Sequence, residues 1–560
     1  MHERTYNSRS LKIYVLFLIL PLFVLGGRLF YLQIIKSYQF GALAEGQHTF
    51  YYKIPPRRGK ILDSKLRNIA VSFDIPSCYA NPRRIKNKDE VAQKISEYFG
   101  IDYENVRTKL AKDKAFVWIK RYISQQEKKN INQLDGCHVG FVKESKRFYP
   151  DNELTAHVVG FVGIDNTGLE GLEFYYNDYL KGSPGLSLVG RDAKGRHIES
   201  ESETIYEALD GLDIVLTIDK YIQYVAEREL DKAYKKYKAK GGTIIVMNSL
   251  NGEILAMSSR PTYNPNAFND SPADARRNRA VSDIFEPGSV FKVVTAAVAL
   301  EEEVVSLDET IYCENGAYKV ANHVLHDHKP YKDLSFKGVI EHSSNIGTVK
   351  VASRLDENVF YDYMLRFGFG AKTDIDFPME EKGIVKDPTK WSRISIAAIP
   401  IGQEIAVTAL QMITSIAVIA NDGYLVQPHL VRHISDNSGN IVKEFNYPVK
   451  YRVISQKISK NVREIMQAVV ETGTGKRARI KGYVVCGKTG TAQKIEPTGG
   501  YSHTKFMATF GGFILSDDIN LAIIVVLDEP RPVYYGGTVS APVFKNVAEE
   551  IIKYLQHTNK

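Results

Sequence analysis

Ser289 and Lys292 stand three residues apart behind Phe285-Glu-Pro-Gly288, at the head of a run rich in valine and alanine, Val290 to Glu303. Proline and glycine just ahead of the serine predict a helix starting at or near Ser289. Spacing of three then puts hydroxyl and amine on one helix face. A serine hydroxyl is inert at neutral pH unless a neighbour takes its proton. A lysine set among Phe291, Val293 and Val294 can do so once burial lowers its pKa. The free backbone N–H groups of a helix start also favour developing negative charge. Taken alone, this spacing describes a solvated lysine on a helix.

Two further clusters change that. Ser343-Ser-Asn345 follows a predicted helix over Leu334 to His342. Its first hydroxyl can both give and accept a proton, and its amide can fix a carbonyl or an ammonium. Lys488-Thr-Gly-Thr491 follows the apolar run Tyr483 to Cys486, so it reads as a strand carrying a cation and two hydroxyls. Such a strand can hold a peptide carboxylate, and Gly490, lacking a Cβ, can let substrate backbone lie alongside. Singly, the second cluster is a capping turn and the third an edge strand guarded by a lysine. In this order they describe serine acylation, with a lysine base, a polar relay and a carboxylate site. Gly473-Thr-Gly475-Lys-Arg-Ala478 mimics a dinucleotide fingerprint but follows a predicted helix, not a strand. His323, His326 and His328 flank Asp327 without a second half at ligand spacing, so no metal site is assigned.

The elements that must hold these residues are legible. Asp219 is a predicted N-cap for a helix over Tyr221 to Lys240, which Gly241-Gly242 should stop. Thr243 to Asn248 is β-branched and apolar, and Asn251-Gly252 signals a hairpin into Glu253 to Ser258. A helical middle follows, then strands at Met507 to Leu515 and Asn520 to Leu527, and a last helix at about Pro542 to Leu555. Strands at both ends of a helical insert predict one antiparallel sheet covered by helices. Ahead of it, Pro55 to Asp63 reads as an extended segment, and Gly168 to Tyr176 as a helix start with carboxylates near its N-terminal end.

The chain is too long for one ordinary core, and its 560 residues, 44% hydrophobic and 25% charged, suit several folded units. Lys+Arg 73 against Asp+Glu 65 gives +8, with both signs interspersed, which reads as solvated surface and not as a nucleic-acid footprint. Cys78, Cys137, Cys313 and Cys486 are scattered, without a C-x-x-C pair. Ile13 to Ile35 is mostly apolar, with Arg28 its one charge. As a helix those residues reach roughly 34 Å, enough to cross a bilayer. Arg4, Arg9 and Lys12 precede it, predicting a cytoplasmic N-terminus, and no A-x-A-like cleavage site directly follows the apolar core, predicting an uncleaved anchor. The expected division is α+β and multi-domain: a tail over 1–12, an anchor over 13–35, a non-catalytic pedestal over 36–235 and a catalytic unit over 236–560.

Together the three clusters resemble those of the penicillin-binding proteins, and the likeness extends over nearly the whole chain. It takes in Arg28-Leu29, Arg58-Gly-Lys-Ile-Leu-Asp63, Arg147-Phe-Tyr-Pro150 with His157 and Gly160, and Gly168 to Glu173. It also takes in Asn278-Arg-Ala280, Gly473-Thr-Gly475, Tyr535-Gly-Gly537 and Ala541-Pro-Val-Phe544. The chain is similar to the class B members, monofunctional peptidoglycan D,D-transpeptidases, and more to the septal than to the elongation branch. One departure is Gly402-Gln-Glu404, where many relatives carry a second glycine at the third position.

The resemblance implies that Ser289 attacks the penultimate D-Ala carbonyl of a stem peptide and expels the terminal D-Ala. Lys292 would act as base, Ser343 as proton relay, and Asn345 would order Lys292 and the substrate amide. Lys488, Thr489, Gly490 and Thr491 would bind substrate, with the backbone N–H groups of Ser289 and Thr491 as oxyanion hole. It further implies no cofactor, β-lactams as covalent inhibitors, and a multi-span glycan polymerase as partner in the cytoplasmic membrane. An elongation-type enzyme, a β-lactam-hydrolysing enzyme and a β-lactam sensor are the competing readings. The anchored pedestal speaks against hydrolysis, and the lone span against a sensor.

Overall fold

Ile244 and Val246 point to one side of their strand, Ile245 and Met247 to the other, and both sets are fully buried. That run therefore lies between two layers. The computed structural model describes residues 8–41, 49–131, 139–191, 197–320, 323–496, 499–516 and 519–558. Arg4 and Cys137 fall outside them. The chain divides into Met1–Pro56 with Gly182–Asp210, and Arg57–Lys181 with Gly211–Lys560.

The first unit holds the N-terminal helix Ser8–Phe30, continued by a wider turn over Tyr31–Ile35. Leu11–Ile35 is long and apolar enough to cross a membrane, and no other helix is among the described residues. The guanidinium of Arg28 lies 5.6 Å from the ring centroid of Tyr31, the pairing expected of an interfacial cation and aromatic. Strands Thr49–Ile54, Gly185–Arg191 and His197–Tyr206 form a small antiparallel sheet.

The second unit is organised on five antiparallel strands: β1 (Gly241–Asn248), β2 (Ile254–Arg260), β3 (Val485–Ile495), β4 (Tyr501–Ser516) and β5 (Ile519–Asp528). Their spatial order is β2-β1-β5-β4-β3, which leaves β3 at an edge. One face carries helices α1 (Lys220–Lys236) and α7 (Ala541–Thr558) over Ile244, Val246, Ile523 and Val525. The other carries the helical insert over Ile245, Met247, Ile524 and Val526. The insert contains α2 (Lys292–Glu301), α3 (Phe336–Glu341), α4 (Asn345–Ala352), α5 (Ala409–Ala420) and α6 (Gln456–Glu471). Every residue of α5 is buried, as a helix that is apolar all round must be. Thr408 and Gln411 close a reciprocal capping box at its start.

Three details differ from the sequence expectation. Gly241 and Gly242 do not stop α1; they open β1, where a side chain at Gly242 would crowd Leu230 and Leu527. The helix ends earlier, at Lys236, because Lys238 turns to φ +46°. Within the extended Pro55 to Asp63 segment, only Ile61–Leu62 is a strand.

Ile61–Leu62 belongs to a second sheet, pairing parallel with Asp213–Leu216 and antiparallel with Asn68–Ala80. Asp213–Leu216 is flanked on its other side by Val431–Ser435, from deep inside the catalytic segment. A boundary drawn at 235/236 therefore passes between α1 and the sheet it covers, and between two partners of one ladder. Near it, Glu173 accepts from Arg58 Nε and Arg147 Nε, both at 2.6 Å, with all three side chains out of solvent. The Gly168 to Glu173 carboxylates thus do more than favour a helix dipole. Burial pushes the Glu173 carboxyl up, and Arg147 and Arg58 pull it back below its ordinary value. Three separated motifs, at Arg58, Arg147 and Glu173, are one ion cluster.

Candidate active site

Ser289 is held by backbone on two sides. Strand Ile284–Phe285 pairs with Val407–Thr408, and Gly288 follows at φ +54°, a conformation glycine takes without a Cβ penalty. Its N–H donates to the Gly402 carbonyl at 3.0 Å. Gly402 lies so close that a Cβ there would meet the Gly288 backbone. One carboxylate oxygen of Glu286 accepts from the Glu404 N–H at 2.9 Å and from the Tyr501 hydroxyl at 3.2 Å. The departure noted at Glu404 is thereby placed: its backbone, at φ +56°, braces the serine turn, while its side chain accepts from Ser395 Oγ at 2.7 Å. Ser289 itself sits in a single 3-10 turn, Gly288–Val290, ahead of α2. The residue is half-buried, and its hydroxyl makes no hydrogen bond among the described residues.

Lys292, at the start of α2, is fully buried. Its ammonium nitrogen donates to Asn345 Oδ1 at 2.7 Å and to the Ser343 carbonyl at 2.8 Å, with Ser343 Oγ at 3.4 Å. Ser343 ends α3 in the left-handed region, φ +61°, which is uncommon for serine and typical of residues held for function. Ser344 caps α4, its hydroxyl accepting from Gly347 N–H at 2.9 Å. Asp327 uses both oxygens on this turn: one accepts from Ser344 Oγ at 2.5 Å, the other from the N–H groups of Asn345 and Ile346 at 2.5 and 3.1 Å. A carboxylate at a helix start also suits the dipole. The cluster of His323, His326 and His328 around Asp327 therefore has a structural role through its aspartate.

β3 brings the third cluster. Lys488, also fully buried, donates to Ser343 Oγ at 2.9 Å and to the Thr489 carbonyl at 3.1 Å. The Thr489 hydroxyl shares a 2.8 Å hydrogen bond with Thr474 of the Gly473-Thr-Gly475 turn. Thr491 Oγ1 accepts from the Gly536 N–H at 3.1 Å. Gly490 lacks a Cβ where one would lie 2.7 Å from Val290 and 2.9 Å from the Pro287 carbonyl. The room that this glycine makes is used inside the chain, letting β3 close on the serine turn.

Two lysines buried this close cannot both hold a proton cheaply. Burial lowers the Lys292 pKa to about 7, with Asp327 opposing. Burial and the nearby Lys292 charge hold Lys488 well below the ordinary value. The result is a serine hydroxyl one turn from an amine that burial leaves partly neutral at pH 7.

The fold thus joins Lys292, Ser343, Asn345 and Lys488 by direct hydrogen bonds. It places Ser289 and Gly490 against each other through the Pro287–Val290 turn, and keeps Thr489 and Thr491 bonded to Thr474 and Gly536. Sequence reasoning missed Asp327 and Glu286. The signal for Glu286 was its place three residues before Ser289; Asp327 had none, since its partners lie further along the chain.

Two family models match this chain: the penicillin binding protein transpeptidase domain over residues 242–549, and the penicillin-binding protein dimerisation domain over residues 53–216. Stage V sporulation protein D of Bacillus subtilis (strain 168) is 34% identical over 559 residues, 98% of this chain and 86% of that protein. Peptidoglycan D,D-transpeptidase FtsI of Escherichia coli (strain K12) is 31% identical over 546 residues, 96% of this chain and 90% of that protein. Among solved structures, penicillin binding protein 3 of Mycobacterium tuberculosis complexed with aztreonam matches with TM-score 0.71 and 28% identity, over 90% of this chain and 97% of that one. Both the transpeptidase match over more than half of the chain and the relatives about a third identical along almost all of it lead to one assignment: the chain belongs to the class B penicillin-binding proteins.

Proposed function

We propose that this chain is a peptidoglycan D,D-transpeptidase that works through a Ser289 acyl-enzyme. The observation that carries the reading is the Ser343 hydroxyl lying within reach of both Lys292, one turn after Ser289, and Lys488. Lys292, partly neutral, takes the Ser289 proton as Oγ bonds to the penultimate D-Ala carbonyl carbon. The backbone N–H groups of Ser289 and Thr491 receive the oxyanion, an element worth about 3 to 4 kcal/mol per donor in comparable sites. The C–N bond then breaks, and Ser343 passes a proton to the departing amine of the terminal D-Ala. Asn345 orders Lys292 and the substrate amide. Lys488, with Thr489, Gly490 and Thr491, forms the wall that meets the substrate's carboxylate. An amine of a second stem peptide attacks the ester, restoring Ser289 and leaving a cross-link. A β-lactam would acylate the same serine. No cofactor takes part in this scheme.

The anchor over 13–35 would leave the pedestal (36–235) and catalytic unit (236–560) outside the cytoplasmic membrane, with the N-terminus inside. A multi-span glycan polymerase is the partner this arrangement suits. Septal synthesis is the cellular role we favour, supported by the likeness to the FtsI protein. A labelled penicillin tests the chemistry: the adduct should map to Ser289 and vanish in Ser289→Ala, and an adduct persisting in that variant rejects it. Depletion tests the role: filamentous cells are expected, and rounded cells would assign the chain to elongation.

A further inference from the structure

A cavity of about 200 Å³ lies away from the Ser289 site, walled by the His157–Phe174 stretch, the Tyr263–Ser282 stretch and the loop at Phe377. Its lining is mainly apolar, with Leu169, Phe174, Tyr263 and Val281 contributing. Besides Arg277, which is ion-paired with Asp274 and Asp283, two charged side chains line it, Glu170 and Arg276. Among the described residues neither side chain makes a hydrogen bond or an ion pair, and Arg276 Nε is withdrawn from solvent without an acceptor. The guanidinium lies 5.5 Å from the Phe161 ring centroid, and Phe161 in turn stacks on Phe268 at 4.0 Å. Burial raises the Glu170 pKa while Arg276 draws it down, so the two charges feel each other without pairing.

Both side chains are half-buried, with Arg276 Nε wholly withdrawn from solvent, and charge left unpaired beside an apolar wall is unfavourable. The complement of such a cavity is a molecule with an apolar body and both charges, an α-amino acid zwitterion. Sites for drug-sized ligands run to about 300–1,000 Å³, so this one suits something smaller. We propose that the cavity binds a free apolar α-amino acid of leucine to phenylalanine size. Its carboxylate would lie on Arg276, its ammonium on Glu170, and its side chain against Leu169 and Tyr263. Charge-assisted hydrogen bonds of this kind are about twice as strong as neutral ones.

Calorimetric titration of the full chain in detergent tests this, with both enantiomers of leucine, leucinamide and N-acetylleucine as titrants. At least one leucine enantiomer should bind saturably, and its amide and acetyl derivatives at least about tenfold more weakly, each having lost one charge. Arg276→Gln should erase the difference between leucine and leucinamide, and Glu170→Gln that between leucine and N-acetylleucine. Melting curves show that the variants are folded, and no turnover is needed, so the result is separable from the acylation reading. Absence of saturation at about 10 mM leucine, or affinity indifferent to both substitutions, overturns the proposal. Strong non-additivity in the stabilities of the two variants also overturns it, since that marks two side chains paired with each other.

Discussion

Lys292 and Lys488 reach one oxygen, the Ser343 hydroxyl, from a helix and from a strand, at 3.4 and 2.9 Å. Neither can move its proton without shifting the other's proton affinity. With the Lys292 pKa lowered to about 7 by burial, acylation by a labelled penicillin should rise with pH through about 7, as the base becomes neutral. Asp327 opposes that lowering, so Asp327→Asn should move the rising limb to lower pH, by up to about one pH unit. Stopped-flow labelling across pH 5 to 9 checks both. The same lysine affects stability: between about 7 and the ordinary 10.5 only the unfolded chain is protonated there, so its contribution to stability increases as pH rises through that window.

Gly490 gives a geometric test. Gly490→Ala places a methyl group within 2.7 Å of Val290 and 2.9 Å of the Pro287 carbonyl. The serine turn must move off β3, and a displacement near 1 Å can cost about 100-fold in rate. Penicillin labelling should slow by about 10- to 100-fold, with circular dichroism unchanged. Labelling at the parental rate would mean that the turn and the strand are not mutually positioned.

Glu286 and Glu404 separate a side-chain role from a backbone one. Glu286 receives the Glu404 N–H, so Glu286→Ala should slow labelling about tenfold by freeing the turn. Glu404→Gly keeps that N–H and suits φ +56° better. It should leave the labelling rate within about twofold.

Glu173 carries the opposite expectation, on stability. Glu173→Gln leaves Arg58 and Arg147 buried without a counter-charge, a loss of about 3–5 kcal/mol, measurable by urea denaturation. In the parent, burial pushes this carboxyl up and the two arginines hold it below its ordinary 4.5. Its stabilising contribution is therefore complete above about 4.5 and lost as pH falls through the lower folded value. The variant should lack that acid-side decline.

The catalytic sheet was legible because its strands announce themselves: Thr243 to Asn248 and Asn520 to Leu527 are β-branched runs too short for helices. Lys292, Ser343, Asn345 and Lys488 were legible through spacing and helix or strand context. Asp327 was not, because its function is to accept from the turn at Ser344–Ile346, and nothing local foretells a tertiary hydrogen bond. Glycines were only partly legible for a related reason. The sequence points to Gly242 as a helix stop and to Gly490 as room for substrate backbone; in the fold each admits a neighbour, Leu230 and Leu527 for one, Pro287 and Val290 for the other. Close approach of two segments is a property of the assembled fold.

Val431–Ser435 lies beside Asp213–Leu216 in one ladder, and this limits how the protein can be taken apart. A fragment starting at residue 236 would keep Val431–Ser435 but lose its neighbour, exposing a strand edge open to any other chain. It would also strip α1 from the sheet and bare Ile244 and Val246. Excision is thus expected to yield aggregates, while a cut made ahead of Arg57 spares both. The shared ladder and the α1 cover predict that the catalytic segment unfolds together with the parts of residues 57–235 packed on it.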